Sequence, residues 1–350
     1  MILKRDYFSI LYKFLKNSNL KPLLGLLQKL AAKGEVYLGL KRSDHPPILI
    51  YQMGKVGSTS VSSSLNAAGL KNYVFDIHFL SEDLNKYRNF YIDSGIVPVP
   101  YHIELGLALR KRIIGVDHRS GQSSKIAGKE SRPTKLKSWE MGCRSRFLRD
   151  RDCGRNDDQR RIIRNSFGRF KIISMVRDPI GRQISDVFQN PEIMEMDIRN
   201  PDELIDKNKA MALIQDKFSD LKTFDYVFEW FDRELKSVFG IDVFAKPFNR
   251  DSGWTIYNGE NADALVLRME DLSAVGENVI SEFLNTPRKI TLFESNVRSQ
   301  TPEAKAYSYV KNNVKIDRKL CEKVYASQFV RHFYSDTQIE AMKCGVTLDL

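Results

Sequence analysis

Short apolar runs alternate with amphipathic helical patterns along most of the chain, and this alternation predicts an α/β fold. Buried strands are predicted over residues 48–51, 73–80, 171–176 and 265–272, and a strand pair is predicted to turn near residues 258–259. Helices are predicted over residues 60–66, 101–114, 224–239 and most of 301–344. Ser81 and Ser273 are the predicted N-caps of two further helices, and Pro179 is predicted to begin another.

Two segments depart from this alternation. Residues 1–33 combine apolar side chains with lysines and predict an amphipathic helical segment, interrupted at Pro22, which we separate as residues 1–43 from an α/β domain over 44–350. No run there approaches the ~20 apolar residues that a membrane-spanning helix needs. The segment is therefore expected either to lie on an anionic membrane surface or to pack on the side of the domain. Residues 115–168, rich in Arg, Lys, Ser, Gly and Asp, are predicted to be a partly disordered insertion.

The charge of the chain is concentrated in this second segment and the residues that flank it. The formal net charge is +11, and residues 110–170 alone contain 18 basic and 7 acidic residues, so the rest of the chain is neutral overall. The four cysteines form no Cys-x-x-Cys pair, which argues against a zinc site. Since no cleavable signal is visible either, we expect a cytoplasmic protein, peripheral to the membrane if residues 1–33 bind it.

The most informative stretch joins the first predicted strand to its helix. Residues 52–60 read Gln-Met-Gly-Lys-Val-Gly-Ser-Thr-Ser and place two glycines, a lysine and several hydroxyl groups in a tight turn. Backbone N–H groups and the helix N-terminus would attract an anion there, and Lys55 supplies a full positive charge. The stretch is not a Walker A loop, because Lys55 precedes the last glycine. The alternative is an ordinary strand–helix turn whose glycines allow close packing.

A second candidate anion site follows another predicted strand. In the run Arg177-Asp-Pro-x-x-Arg-x-x-Ser185, Arg177 lies at the carboxyl end of the strand, where doubly wound sheets bind ligands. Ser185 lies about two turns along the next helix. The alternative interpretation is a surface arginine paired with Asp178.

These stretches together resemble the motifs of sulfotransferases. Residues 52–60 resemble the 5′-phosphosulfate loop, Arg177 to Ser185 resembles the 3′-phosphate motif, and residues 267–272, Leu-Arg-Met-Glu-Asp-Leu, resemble a later strand motif. The closer resemblance is to a bacterial-type branch named for capsular polysaccharide synthesis. It includes Trp-Phe-Asp-Arg-Glu-Leu at 230–235, Phe-Gly-Ile-Asp-Val at 239–243 and Arg-His-Phe-Tyr-Ser at 331–335, and it covers residues 44–345 except 115–168.

The resemblance implies a three-layer, P-loop-like fold with a central, mostly parallel sheet flanked by helices. It also implies transfer of a sulfuryl group from 3′-phosphoadenosine-5′-phosphosulfate (PAPS) to an acceptor hydroxyl, with a glycan favoured and no metal required. The donor-binding residues would be Gly54, Lys55, Val56, Gly57, Ser58, Thr59, Arg177 and Ser185.

Catalytic roles follow from the same resemblance. Lys55 would neutralise charge on the leaving oxygen, and His78 would act as general base, with His102 as the alternative. The Arg-Lys-Gly sequence that completes the 3′-phosphate site of cytosolic sulfotransferases is missing here. Arg298 and Lys305 are the candidates to replace it.

Two other classes of function stay open at this stage. A P-loop kinase or NTPase with a degenerate loop would need a metal-binding aspartate after a strand. A non-catalytic binder of polyanions would use residues 110–170, with strongly salt-dependent affinity. No specific nucleic-acid partner is expected.

Overall fold

The computed structural model describes residues 21–41, 45–95, 98–114, 168–189, 198–200, 205–293, 303–344 and 347–349. The predictions for residues 1–20, for the basic insertion up to residue 167 and for Arg298 lie outside these ranges.

A five-stranded sheet forms the centre of the protein. Its strands, in the spatial order β2-β1-β3-β5-β4, are Ile48–Tyr51 (β1), Val74–Ile77 (β2), Phe170–Val176 (β3), Trp254–Asn258 (β4) and Ala262–Arg268 (β5). Strands β2, β1, β3 and β5 are parallel, whereas β4 pairs antiparallel with β5. The predicted α/β fold with a mostly parallel sheet is confirmed; its P-loop-like character stays a prediction.

Helices surround the sheet. They are Lys21–Lys41 (α1), Ser58–Ala67 (α2), Leu84–Asp93 (α3), Tyr101–Ile113 (α4), Pro179–Gln189 (α5), Lys207–Lys217 (α6), Asp225–Trp230 (α7), Ser237–Phe239 (α8), Leu272–Phe283 (α9), Ala304–Asn313 (α10), Arg318–Tyr325 (α11), Gln328–Phe333 (α12) and Asp336–Cys344 (α13). A π-helical stretch, Phe231–Lys236, joins α7 to α8, and short 3₁₀ turns span Leu221–Phe224, Val243–Ala245 and Met269–Asp271. Strands Lys315–Asp317 (β6) and Thr347–Asp349 (β7) form a separate parallel pair.

Both faces of the sheet are covered by helices. All residues of β1 and β5 are buried, as expected for strands of a parallel sheet packed on both sides. On one face the Tyr51 ring meets Trp230 at 5.1 Å between ring centroids. On the opposite face the Lys171 ammonium lies 4.6 Å from the centre of the Phe283 ring in α9. The layers are therefore helix, sheet and helix.

Helix α1 packs alongside α4 and adds Ala32 and Val36 to the main core. It extends beyond the predicted residue 33, and Pro22 lies in its first turn, where proline is tolerated. No helix in the described part of the chain has both the length and the hydropathy needed to cross a membrane.

Two predicted helix caps are wrong. The Ser81 hydroxyl donates to the buried Glu234 carboxylate at 2.6 Å, and α3 begins later, after Asp83. Ser273 lies inside α9, which begins at Leu272. Ser81 illustrates the reason: its hydroxyl is oriented to donate to a distant, buried carboxylate, and the helix begins beyond the reach of a cap at this position. Pro179, in contrast, begins α5 as predicted.

Candidate active site

Loops carrying polar side chains leave four parallel strands at one edge of the sheet. Strand β1 leads into residues 52–57, β2 into His78, β3 into Arg177 and β5 into Met269. Because the carboxyl ends of parallel strands lie at the same edge, these residues converge. This edge is the candidate active site.

The loop between β1 and α2 has an unusual backbone. Gly57 has φ of +93° and precedes α2 without any side-chain cap. Lys55 has φ of +73°, a left-handed conformation that costs a non-glycine residue about 1–2 kcal/mol. Such conformations cluster at functional sites. The first N–H groups of α2 have no partner within the helix, so they point toward the loop as potential anion donors.

Arg182 and Tyr226 fix this loop through hydrogen bonds to its backbone. Arg182 Nε donates to the carbonyl of Gly54 at 3.1 Å, and the Gly54 N–H donates to the Tyr226 hydroxyl at 3.4 Å. The Arg182 guanidinium also lies 4.9 Å from the centre of the Tyr226 ring. Arg182 is only 5% exposed, so its role is to fix the loop. The sequence motif contains Arg182, yet its target was not predicted.

Arg177 and Ser185 meet beside the same loop. Arg177 Nη1 donates to Ser185 Oγ at 2.8 Å and to the Lys55 carbonyl at 3.1 Å. The hydroxyl oxygen of Tyr307, from α10, lies 3.4 Å from Arg177 Nη2 and 3.3 Å from Ser185 Oγ. The spacing of eight residues between Arg177 and Ser185 thus corresponds to a direct contact, and the two candidate anion sites adjoin.

The carboxylate of Asp178 is turned away from this cluster. It accepts from the N–H of Gly181 at 2.8 Å and from the Tyr325 hydroxyl at 3.1 Å. Asp178 therefore anchors the start of α5, and the interpretation of Arg177 as a simple ion pair with Asp178 is not supported.

Helix α10 approaches the cluster through a residue that the sequence did not single out. The Lys305 side chain is exposed, whereas Tyr307 reaches Arg177 and Ser185. A lone tyrosine more than 100 positions away in the sequence carries no local signal for this contact.

His78 and His102 form a pair of rings at the same edge of the sheet. Their ring centroids are 5.1 Å apart, and His78 Nδ1 lies 3.0 Å from the Gln52 carbonyl. This contact favours the tautomer with the proton on Nδ1, leaving Nε2 as a proton acceptor. Burial lowers the pKa of His78, and it lowers the pKa of His102 to about 3. The charge of Lys55 adds to both shifts, so the three side chains share one environment.

A buried carboxylate holds the segment that follows His78. Glu234, in the π-helical stretch, is 2% exposed and accepts from the N–H groups of Leu80 at 2.8 Å and Ser81 at 2.9 Å. It also accepts from the Tyr51 hydroxyl. Despite these bonds, burial raises the pKa of Glu234. π-Helical turns are frequent at functional sites, and this one fixes the loop of the candidate base.

Gln52, at the start of the β1–α2 loop, is fully buried, and neither polar atom of its side-chain amide has a hydrogen-bond partner among the described residues. A buried amide in this state costs about 1–3 kcal/mol, so it calls for a functional explanation.

The Arg268-Met-Glu-Asp motif links the edge to the C-terminal helices. Arg268 Nε donates to Asp271 at 2.6 Å, and its Nη1 donates to the Phe333 carbonyl at 3.1 Å. Glu270 accepts from the N–H of Asp178 at 2.9 Å and from the Tyr334 hydroxyl at 3.2 Å. These residues stabilise the site without facing it. Within the described ranges, no group of three His, Cys, Asp or Glu residues is placed to hold a metal.

A cavity of about 300 Å³ lies away from this edge. Lys171, Asp263, Trp254 and Phe283 are among its lining residues, and Lys171 pairs with Ile48 at the start of β1. It extends along the edge strand β4, beside Lys171 and Asp263 near the amino ends of β3 and β5.

Comparison with known proteins gives one match. Residues 202–335 match the family model NKWYS, described as "Putative capsular polysaccharide synthesis protein". Comparisons with curated proteins and with solved structures gave no match. The matched region includes the loop-holding Tyr226, the buried Glu234 and Tyr307. Over residues 202–335, the chain is therefore similar to the capsular polysaccharide synthesis family.

Proposed function

We propose that the protein is a PAPS-dependent sulfotransferase that acts on a hydroxyl group of a polysaccharide or other glycan. The observation that carries the proposal is the contact of Arg177 with both Ser185 and the Lys55 carbonyl. Through this contact Arg177, which would bind the 3′-phosphate, lies directly beside the loop that would bind the 5′-phosphosulfate. The family match over residues 202–335 supports a role in polysaccharide synthesis.

The residues fit two anionic groups on one nucleotide. Backbone N–H groups of residues 55–59 and the N-terminus of α2 would hold the 5′-phosphosulfate side, with hydroxyl donors from Ser58 and Thr59. Arg177, Ser185 and Tyr307 would hold the 3′-phosphate. The side-chain amide of Gln52, at the start of the loop, is a further polar group without a hydrogen-bond partner among the described residues.

The chemistry needs little beyond positioning and charge. When bound, PAPS supplies the sulfuryl group, and a loose transition state places charge on the oxygen that bridges sulfur and phosphorus, as in phosphoryl transfer. Lys55 would stabilise that oxygen as its bond to sulfur breaks. His78 Nε2 would take the proton of the acceptor hydroxyl as the new oxygen–sulfur bond forms, and His102 is the alternative base. Both histidines have lowered pKa values, so a neutral base is available at pH 7.

The test is calorimetric titration of the full chain with 3′,5′-adenosine bisphosphate and, separately, with 5′-AMP. Charge-assisted hydrogen bonds contribute about 1.5–3 kcal/mol, which corresponds to roughly 10- to 150-fold tighter binding of the bisphosphate. Equal affinities would overturn the assignment. Turnover of radiolabelled PAPS with and without a chelator, using a bacterial polysaccharide as acceptor, would separate this function from a metal-dependent kinase or NTPase.

A further inference from the structure

The outward side of α1 is apolar. The exposed positions of this helix, among those whose side chains are described, are Pro22, Leu23, Leu26, Leu30, Lys33, Tyr37, Leu38 and Lys41. Four of them are substantially exposed leucines: Leu23 at 46%, Leu26 at 53%, Leu30 at 55% and Leu38 at 36%. Tyr37 is 48% exposed. We call these five residues, Leu23, Leu26, Leu30, Tyr37 and Leu38, the α1 apolar face.

This face is not the side on which α1 packs. Leu24, Gln28, Ala32 and Val36 recur every four residues and are buried, so they form the inner stripe. Leu23, Leu26, Leu30 and Tyr37 recur at steps of three, four and seven and form a second stripe toward solvent. A surface helix normally places polar side chains there. Two opposite apolar stripes on one helix indicate a second contact surface.

The exposed charged side chains of α1 and α4 are positive. Lys33 and Lys41 are the charged residues among the exposed positions just named, and Lys111 and Arg112 are exposed on the adjoining helix α4. The acidic residue of α1, Glu35, accepts a hydrogen bond from the Tyr101 hydroxyl. The segment that follows α4 in the sequence, residues 115–168, contains 14 basic and 7 acidic residues and is itself strongly positive. Apolar side chains flanked by lysines match the headgroup region of an anionic bilayer.

Leu23 and Leu26 of this face lie at the end of α1 nearest the candidate active site. A Cβ atom at Gly25 would lie 3.8 Å from Pro98, just before α4, whose first turn carries His102. At the other end of α1, Gly39 packs against Tyr73 and Phe75, where β2 begins. Helix α1 therefore runs from the carboxyl edge of the sheet toward the opposite edge, with Leu23 and Leu26 beside the carboxyl edge.

A second copy of the chain and a free glycan fit this face less well than a lipid bilayer does. In a two-fold dimer formed through this face, the lysines and arginine of one copy would approach those of the other, and like charges repel. A free glycan offers no hydrocarbon surface to cover four leucines. A lipid bilayer provides both the apolar interior and the anionic surface.

We propose that the α1 apolar face docks the protein on the surface of an anionic membrane, without crossing it. Leu23, Leu26 and Leu30 enter the boundary between headgroups and acyl chains, while Lys33 and Lys41 contact lipid phosphates. The candidate active site then lies close to the bilayer, within reach of a lipid-linked acceptor. The docking itself does not depend on the proposed sulfotransferase activity.

The experiment is co-sedimentation of the full chain with vesicles of phosphatidylcholine containing one quarter phosphatidylglycerol, and with vesicles of phosphatidylcholine alone. We expect binding to the anionic vesicles that falls as salt is raised. Leu26→Gln with Leu30→Gln should lower the partition coefficient at least tenfold. Lys33→Glu with Lys41→Glu should lower it by a similar factor on anionic vesicles only, because each lysine near the surface contributes about fivefold.

The matched control is Phe293→Gln with Tyr309→Gln, two exposed aromatic residues elsewhere, at 50% and 39% exposure, which should bind as the wild type does. Hydrogen exchange of the wild type supplies a readout that needs no variant: vesicles should slow exchange over residues 21–41. Wild-type vesicle binding by the Leu26→Gln, Leu30→Gln variant, or unchanged exchange in α1, would overturn the proposal. A dimer that this variant converts to a monomer would assign the face to a second copy instead.

Discussion

Strand β3 carries an arginine near each end, and the two arginines have different partners. Arg169, just before the strand, donates to the Asp263 carboxylate at 2.6 Å and to the carbonyls of Gly259 and Glu260. Arg177, just after the strand, donates to a serine hydroxyl, a backbone carbonyl and a tyrosine hydroxyl. One guanidinium is neutralised by a carboxylate, whereas every hydrogen-bond acceptor of the other among the described residues is neutral.

The difference separates a structural charge from one suited to an anion. A carboxylate in direct contact satisfies both the geometry and the charge of Arg169. Neutral hydrogen-bond acceptors orient Arg177, and the Asp178 and Glu270 carboxyls interact with its charge without a direct hydrogen bond among the described residues. An incoming phosphate can therefore still gain a charge-assisted bond. The presence of arginine at a strand end is therefore less informative than the nature of its acceptors.

The largest expected effect concerns the carboxyl edge of the sheet. His78→Ala should lower kcat by about 10²- to 10⁴-fold, the range for a positioned general base, while the affinity for 3′,5′-adenosine bisphosphate stays unchanged. Because burial lowers the pKa of His78, wild-type kcat should be flat around pH 7 and fall only below the ordinary histidine pKa of about 6.5. The measurement is kcat across pH, combined with calorimetry.

A matched control exists away from this edge. His332 packs among aromatic rings, 5.1 Å from Phe244, and its Nε2 lies 3.2 Å from the Tyr257 hydroxyl. His332→Ala should lower thermal stability and leave the kcat of the folded protein intact. If His102→Ala reproduced the His78 profile while His78→Ala did not, the roles of the two histidines would be exchanged.

The second effect compares the two arginines directly. Arg177→Ala should abolish the preference for 3′,5′-adenosine bisphosphate over 5′-AMP, a change of about 10- to 150-fold in relative affinity. Arg169→Ala, the matched control, should keep the preference and lower the midpoint of thermal unfolding. Calorimetry of both variants with both nucleotides gives the comparison. A preference that survives Arg177→Ala would make Arg177 another structural arginine.

The sheet was predictable because its strands depend on local sequence, and the resemblance had already grouped Arg177 with Ser185 in one motif. Buried strands need continuous apolar runs, and a spacing of eight residues places Ser185 about two turns along the helix that starts at Pro179. The confirmed strand at Ile48–Tyr51 follows from the first rule.

Features that depend on distant partners were missed or wrong. The Ser81 cap was wrong because its hydroxyl is oriented toward Glu234, 153 residues away, and the helix begins only at Leu84. The contacts of Arg182 with the Gly54 carbonyl and of Tyr307 with Ser185 join residues more than 100 positions apart. A local sequence pattern does not indicate which distant residue becomes the partner, because only the folded structure brings the two residues together.

The smallest expected effect is at the amino end of β3 and concerns acid stability. Hydrogen bonding to Arg169, with smaller contributions from Asn258 and Lys171, holds the pKa of Asp263 well below its usual range. A carboxyl group with a lowered folded pKa contributes stability above its unfolded pKa of about 3.9, and that contribution is lost as pH falls through the lower, folded value.

The Arg169 side chain is 44% exposed, so solvent screening limits the pair to about 1 kcal/mol or less. Asp263→Asn should therefore lower the free energy of unfolding by about that amount at pH 7, with the difference shrinking as the pH is lowered below 3.9. Urea denaturation of both proteins at a series of pH values measures it, with nucleotide affinity at pH 7 as the control that should not change. A constant difference at all pH values would mean that packing, not the ion pair, makes Asp263 stabilising, and the contrast between the two arginines would lose its electrostatic basis.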